Sequence, residues 1–229
     1  GTEMAGVATA PRGSDGNAVG IAYNANLIGI RAVEDVIISS SDEKDGVKNA
    51  LILAGNRSDV KVISMSIGTP FYSGTVADGV YYAYNKGKLI MAAAGTSLTW
   101  TSGIVNVIFP ANMAQTTAIT GVRDNNPLQR CNTCHDGSQV EFVMRMQRNS
   151  NTDRLALTLA TFSDQPNYVG GSSCATASLA GISALVYASH PGASRSTVLN
   201  ALKVNASNYP NKDSKLGWGV VDANGAVNY

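Results

Sequence analysis

The sequence predicts an α/β fold, with a doubly wound, mostly parallel sheet and helices on both faces. Apolar runs of strand length recur without polar alternation, as in strands that are covered on both sides. Helix-like stretches separate these runs, which implies right-handed crossover connections. The length of 229 residues suits one sizeable domain over 1–229. The expected strands are Leu27–Val33, Val60–Ile67, Lys88–Ala94 and Thr117–Val122.

Two helices are expected between these strands, at about Glu43–Ala54 and Gly74–Lys86. Ser41 or Asp42 is a suitable N-cap for the first helix, because short polar side chains accept hydrogen bonds from the free N–H groups of a first turn. Gly87 ends the second helix, as glycine commonly does after a C-terminus.

The composition argues against two classes of partner. An apolar content of 44% and a charged content of 14% are those of an ordinary globular protein. With 17 basic and 16 acidic residues, there is no electrostatic case for nucleic acid or an anionic membrane. No apolar run approaches the length of a membrane span, so we expect no membrane partner.

The polar stretch Glu141–Asp164 is interpreted as an extension or mobile loop.

The segment Gly171–Ala177 (Gly-Ser-Ser-Cys-Ala-Thr-Ala) is the most informative part of the chain. It reads as a glycine turn that presents Ser173 at the start of a small-residue helix running to about His190. Unpaired N–H groups and the positive end of the helix dipole lie beside such a serine, which suits a nucleophile whose reaction builds an oxyanion. The same segment also suits an ordinary helix N-cap, and taken alone it does not separate the two interpretations.

Four further segments accompany this motif in a fixed order along the chain. The five segments are Gly1–Gly6, Ser64–Pro70, Ala92–Thr96, Gly171–Ala177 and Leu216–Ala223. Together they resemble the histidine, substrate-strand, oxyanion, serine and closing motifs of the subtilisin-like serine proteases, the subtilases. Ser173 falls on the family's nucleophile, although Ser172, Cys174 and Ala177 replace the family's Thr, Met and Pro. The resemblance covers nearly the whole chain and implies a serine endopeptidase acting on polypeptides, secreted or periplasmic.

The resemblance places Gly1 directly after the family's catalytic histidine, and the catalytic aspartate lies further upstream. His190 precedes Pro191 at the predicted helix end, where a histidine complements the helix dipole. His135 lies in a loop with no counterpart among the family's catalytic motifs. Loss of the triad serine or histidine costs about 10⁶ in turnover, as measured in subtilisin itself. We therefore expect this polypeptide alone to be a very poor protease.

Two explanations for the missing triad members stay open. The chain is either part of an active enzyme, with a companion N-terminal segment that carries the aspartate and histidine, or a catalytically dead module that only binds peptides. We expect the first, because a gene start inside the histidine motif would be an unusual coincidence.

The resemblance also assigns an oxyanion pair, the backbone N–H of Ser173 and the side chain of Thr96. The family usually has asparagine at the second position, and threonine donates through a shorter arm. Loss of one such donor costs about 10²–10³ in turnover. The alternative is that Thr96 only shapes a turn.

Substrate-binding residues are implied in two segments, Ser66-Ile67-Gly68 and Ala93-Ala94-Gly95. The first is expected to pair with an extended substrate by strand addition, which gives affinity through main-chain hydrogen bonds. The second is expected to form a wall of the pocket for the residue before the cut, and its small side chains predict a roomy apolar pocket. A plain buried strand is the alternative interpretation of the alanines. Both segments fall at carboxyl ends of predicted parallel strands, where such sheets bind ligands.

The cysteines are Cys131, Cys134 and Cys174. Cys131-x-x-Cys134-His135 matches the attachment pattern of c-type haem, but its polar surroundings favour a short-range disulfide or free thiols. A metal site would need ligands from elsewhere, because these three residues do not complete a tetrahedral shell. Cys174 is expected to be a buried small residue at the helix start.

No cofactor is expected, although calcium is considered at one loop. Pro11–Asn17 lies where many subtilases bind calcium, and Asp15 and Asn17 carry suitable oxygens. Calcium takes six to eight oxygen ligands and the family's upstream aspartate is missing, so a flexible turn is the preferred interpretation.

Overall fold

The computed structural model describes residues 1–13, 18–97, 106–148, 154–158 and 167–229. Its helices and strands alternate in the first half, and helices dominate the last third. In chain order they are α1 (Thr2–Thr9), α2 (Ser41–Asn56), β1 (Val62–Met65), α3 (Gly74–Asn85), β2 (Leu89–Ala93), β3 (Thr117–Arg123), β4 (Val140–Gln147), β5 (Ala156–Thr158), β6 (Asn167–Val169), α4 (Gly171–Ser189), α5 (Arg195–Val204) and α6 (Ala223–Val227).

The main sheet is parallel throughout and has the order β1-β2-β3-β4. Two separate apolar cores cover its faces. One core contains residues of α1, α4, α5 and α6, and the other contains residues of α2 and α3. The predicted α/β class, with a parallel sheet and helices on both faces, is therefore confirmed. A short antiparallel pair of β5 and β6 lies outside this sheet.

Helix α4 is the centre of the first core and contacts all four strands of the parallel sheet. Its small residues permit close approach of neighbouring chain segments. A Cβ added to Gly181, for example, would lie 2.9 Å from the Ile21 Cβ and 3.1 Å from the Ala8 carbonyl oxygen. By length and composition alone α4 is able to cross a membrane, but 72% of that window is buried inside the fold. Its apolar character is thus that of a core helix.

Most of the predicted elements lie within a few residues of their predicted bounds. Three predicted strands and the three predicted helices are present, and Gly87 follows α3 with a φ of +81°. The N-cap of α2 is Ser40, one residue before Ser41 and two before Asp42, the two predicted candidates. Its hydroxyl accepts from the Glu43 N–H, while the Glu43 carboxylate accepts from the Ser40 N–H at 3.0 Å. This reciprocal capping box satisfies two N–H groups at once.

The prediction of a strand at Leu27–Val33 is wrong. The segment forms no regular element, and Leu27, Ile28 and Ile30 are 54%, 42% and 40% exposed. An apolar run becomes a strand only when a neighbouring strand satisfies its backbone groups. Within the described residues none pairs with Leu27–Val33, and the outer edge of β1 lacks a strand partner too.

The interpretation of Glu141–Asp164 as a loop is wrong for its first part. Val140–Gln147 is strand β4, in which Phe142, Val143 and Met146 are buried. Glu141 is assigned to a polar loop from the sequence because it is charged. In the structure its carboxylate lies at the surface and pairs with Lys212 at 2.5 Å. Residues 149–153 and 159–164 of this stretch lie outside the described residues.

Candidate active site

The site begins at the first turn of α4. Gly170 is the N-cap and Gly171 has a φ of +85°, a conformation that favours glycine because it has no Cβ. Ser173 follows in the first helical turn and is half-buried. Its hydroxyl has no hydrogen-bond partner among the residues that the structure describes. The predicted nucleophile is thus a serine with a free hydroxyl beside the unpaired N–H groups of a 19-residue helix.

Ser66 fixes the backbone of this turn. Its hydroxyl donates to the Ser173 carbonyl oxygen at 2.9 Å, although 107 residues separate the two in sequence. Ser66 directly follows β1, so the carboxyl end of that strand meets the start of α4. Ser66 is predicted to belong to the substrate-binding segment, and in the structure its hydroxyl is engaged with the helix turn at Ser173.

Ser172 joins the same turn to the end of β2. It is only 1% exposed, its N–H donates to the Thr96 hydroxyl oxygen at 3.0 Å, and its own hydroxyl accepts from the Gly95 N–H at 3.3 Å. The two hydroxyl oxygens of Ser172 and Thr96 are 2.7 Å apart. The sequence marked Ser172 only as a replacement of the family's threonine, and its position before Ser173 was the available signal for this positioning role.

Counting protons shows what Thr96 can still donate. A single proton occupies the hydrogen bond between the two hydroxyls, since each hydroxyl has one proton and either can be the donor. When Ser172 donates, Thr96 accepts from both the hydroxyl and the N–H of Ser172, and its own proton is free for another acceptor. The arrangement is therefore compatible with the predicted oxyanion role and with a turn-shaping role.

Within the described part of the chain, the side chains of Ala93 and Ala94 face the protein interior. Ala93 and Ala94 are 3% and 0% exposed, and Ala94 belongs to the core between the sheet and α2–α3. The Ala94 carbonyl accepts from the Ile108 N–H at 2.9 Å. Gly95 has a φ of +123°, so it requires glycine for its conformation. The two alanines are thus buried, and they can border the substrate pocket only through their backbone atoms.

Gly68 already has main-chain partners in this structure. Its N–H donates to the Val36 carbonyl at 3.1 Å, and its carbonyl accepts from the Ile38 N–H at 2.9 Å. Strand addition of a peptide at Gly68 therefore requires these hydrogen bonds to be exchanged. Ile67 between Ser66 and Gly68 is half-buried.

Ile108 was not identified from the sequence, and no motif pointed to it. A Cβ added to Gly68 would lie 2.5 Å from the Ile108 Cδ1. Because the Ile108 backbone is bonded to Ala94, its side chain lies between the two predicted substrate segments. The expected roomy pocket is consequently narrowed by a branched apolar side chain.

Neither histidine reaches Ser173 by a hydrogen bond within the described residues. His190 is the C-cap of α4, and its Nδ1 lies 3.2 Å from the Val186 carbonyl, in the structural role expected for it. His135 is 4% exposed, and its Nε2 is paired with the Ser97 hydroxyl. Burial is the largest influence on the His135 ring and lowers its pKa from the ordinary 6.5.

The structure gives the chemical state of all three cysteines. Cys131 and Cys134 form a disulfide with a Cα–Cα distance of 5.2 Å, so neither sulfur is a free thiolate for a metal or for haem. Cys174 is free and fully buried, and burial raises the pKa of its thiol to about 12. Among the described residues no group of three or more His, Cys, Asp or Glu is placed to hold a metal. The candidate calcium residues Asp15 and Asn17 lie outside the described residues.

A family profile and related sequences extend this picture. The profile of the subtilase family matches residues 1–219. Alkaline elastase YaB of Bacillus sp. (strain YaB) is 30% identical over an alignment that covers 99% of this chain and 54% of that protein. Subtilisin Savinase of Lederbergia lenta is 28% identical, with 99% of this chain and 77% of that protein covered. The chain thus spans about half the length of the elastase.

Solved structures agree on the fold. A protease from Pseudoalteromonas arctica PAMC 21717 superposes with a TM-score of 0.81 at 24% identity, covering 99% of this chain and 69% of that chain. Fervidolysin from Fervidobacterium pennivorans, a keratinolytic enzyme related to subtilisin, gives a TM-score of 0.79 at 19% identity, with 99% and 35% covered.

Proposed function

This chain belongs to the subtilase family, whose members are serine peptidases, and we propose that it is the larger part of a serine endopeptidase with Ser173 as nucleophile. The observation that carries the proposal is the convergence of two strand ends on one helical turn. Ser66 bonds to Ser173 itself and Thr96 bonds to Ser172, while the Ser173 hydroxyl stays unengaged. A hydroxyl held in this way can attack a peptide carbonyl and form an acyl-enzyme.

The oxyanion would be held by the Ser173 N–H and by the Thr96 hydroxyl. The first N–H groups of α4 have no intrahelical acceptor, and the helix dipole favours negative charge there. Thr96 contributes in the hydrogen-bond arrangement in which Ser172 donates to it and leaves its own proton free.

The acid–base partners would come from residues preceding Gly1. The packing of α1 against α4 supports this, and the Glu3 carboxylate is among the charges that act on the Cys174 thiol. Cys174 is the neighbour of Ser173, so a histidine just upstream of α1 would lie on the same side of the molecule as the nucleophile. Such a histidine would take the Ser173 proton and later return it to the leaving amine.

The substrate would be an extended polypeptide with a small residue before the cut. Ser66–Gly68 offers the strand edge, and the Ile108 side chain beside Gly68 limits the depth of the pocket. A secreted or periplasmic location is consistent with the Cys131–Cys134 disulfide, since disulfides persist in oxidising compartments.

A fluorophosphonate probe tests the proposal. The full-length protein, carrying the segment upstream of Gly1, is expected to be labelled at Ser173, and Ser173→Ala is expected to remove the label. Residues 1–229 alone should label about 10⁶-fold more slowly, the cost of losing the histidine in subtilisin. A full-length protein that binds extended peptides but is not labelled would instead be a catalytically dead peptide-binding module.

A further inference from the structure

The loop formed by Cys131–His135 lies directly against the segment Gly95–Ser97. The Ser97 N–H donates to the Thr133 carbonyl at 2.8 Å, and the His135 N–H donates to the Gly95 carbonyl at 2.9 Å. Between these two bonds, Thr96 and Cys134 form an antiparallel bridge. The backbone of Thr96 thus faces the loop, while its side chain faces Ser172 at the start of α4.

The loop is itself held on several sides. Its cysteines are joined by the disulfide and are 3% and 0% exposed. The Cys131 N–H donates to the Gly121 carbonyl at 2.8 Å, which fixes one end of the loop to β3. The Thr120 hydroxyl donates to the His135 carbonyl at 2.5 Å, which fixes the other end. The Cys131–His135 loop is therefore fixed at both ends to strand β3, and it supports the backbone of Thr96.

His135 makes the contact from loop to segment through its ring as well. Its Nε2 is bonded to the Ser97 hydroxyl, and a Cβ added to Gly95 would collide with its Nδ1. This Nδ1 is buried, and backbone groups of Asn106 and Ala94 lie next to the ring. The charged groups facing the ring are Arg130 and Asp136, which pair with each other at 3.2 Å.

We propose that the disulfide loop and His135 are positioning elements that set the location of Gly95 and Thr96 relative to Ser173. The inference rests on the proposed function, in which Thr96 helps to hold the oxyanion. Donors of this kind must be placed within about 0.5 Å, and losing one costs about 10²–10³ in turnover. Opening the loop is then expected to lower kcat more than it raises KM, because the substrate strand at Ser66–Gly68 is not touched and only Gly95 of the predicted pocket wall contacts the loop.

Amide hydrogen exchange on residues 1–229 tests the positioning without any need for activity. Dithiothreitol reduces the disulfide to two thiols and is itself oxidised to its cyclic disulfide, and Cys131→Ser/Cys134→Ser opens the loop permanently. Both treatments are expected to remove the protection of the Ser97 amide while α3 stays protected. If Ser97 keeps its protection in the reduced protein, the proposal is overturned. Equal loss of protection in α3 would mean general unfolding and would also contradict it.

Kinetics of the full-length protein supply the second readout. Cys131→Ser/Cys134→Ser is expected to lower kcat by about 10²-fold, and dithiothreitol should have no further effect on it. His135→Ala should lower kcat as well, whereas His135→Gln, whose amide can still reach Ser97, should restore much of it. A rise in KM at constant kcat would overturn the proposal. An unreduced parent that fails to react with the fluorophosphonate would refute the proposed function instead, and the exchange result would still decide on the positioning.

Discussion

The Ser173 hydroxyl is available because its neighbours, rather than Ser173 itself, satisfy the polar groups around it. Ser66 occupies the Ser173 carbonyl, and Ser172 takes the contacts with Gly95 and Thr96. A family resemblance located Ser173 and Thr96 from the sequence. The contribution of Ser172 depends on distances between residues 76 and 77 positions apart, which sequence spacing does not reveal.

Ile108 is the residue whose substitution should change specificity. In the full-length enzyme we expect Ile108→Ala to deepen the pocket beside Gly68 and to admit a large residue before the cut. The ratio of kcat/KM for phenylalanine over alanine substrates should rise by at least about tenfold, since a single methylene in such a pocket is worth about 10–200-fold. Val107→Ala, which shortens the buried neighbouring side chain, is the matched control. An unchanged ratio would contradict the assignment of Ile108 to the pocket.

The Glu43 side chain stabilises the start of helix α2. The Glu43 carboxylate accepts hydrogen bonds from the N–H groups of Glu34, Ser39 and Ser40 and from the Ser39 hydroxyl. These bonds, with those from Ser39 and Ser40 the largest, lower the pKa of Glu43 from 4.5 to about 2. The same side chain therefore caps α2 and ties the preceding segment to it.

The free energy of unfolding should depend on Glu43 in a defined pH window. Because its folded pKa is lowered, its contribution is complete above pH 4.5 and is lost as the pH falls towards 2. The difference in unfolding free energy between the parent and Glu43→Gln should therefore be largest near neutral pH and shrink below pH 4.5. Urea titrations between pH 2 and 7 measure it. Asp45→Asn removes the same charge from α2 as a control, and a difference that is constant with pH would refute the prediction.

The elements that were predicted correctly carry their own local signals. Helices α2 and α3 have polar caps and Gly87, and β2 is a continuous apolar run that is buried on both sides. The run at Leu27–Val33 has the same composition as β2, yet it forms no strand because pairing is decided by neighbours elsewhere in the chain. Strand β4 was missed for the opposite reason, since Glu141 and Arg145 interrupt its apolar residues although they point to the surface.

At the scale of the whole molecule, one side of the sheet is left open. Leu27, Ile28 and Ile30 are exposed, the outer edge of β1 has no strand partner within the described residues, and Val36 and Ile37 are 58% and 57% exposed. Exposed apolar segments and free strand edges favour association between chains. Neither feature can be read from the sequence, because exposure depends on which segments cover them.

Residues 1–229 alone should therefore self-associate as their concentration rises. Sedimentation velocity over a wide concentration range should show a growing fraction of larger species. Ile28→Lys and Ile30→Lys together are expected to reduce it, because charge on this surface disfavours strand pairing. The same change at Leu53, which is 51% exposed on α2, is the control. A monomer at every concentration would show that the open side does not drive association.

A peptide that pairs with Gly68 must first replace the hydrogen bonds between Gly68 and the Val36–Ile38 segment. The segment belongs to the same chain, so it competes with any peptide as an intramolecular partner. Short or poorly matched peptides would bind too weakly to displace the segment, whereas a longer peptide with several anchoring side chains could displace it. Binding at Gly68 would therefore depend on how many anchoring contacts a peptide makes.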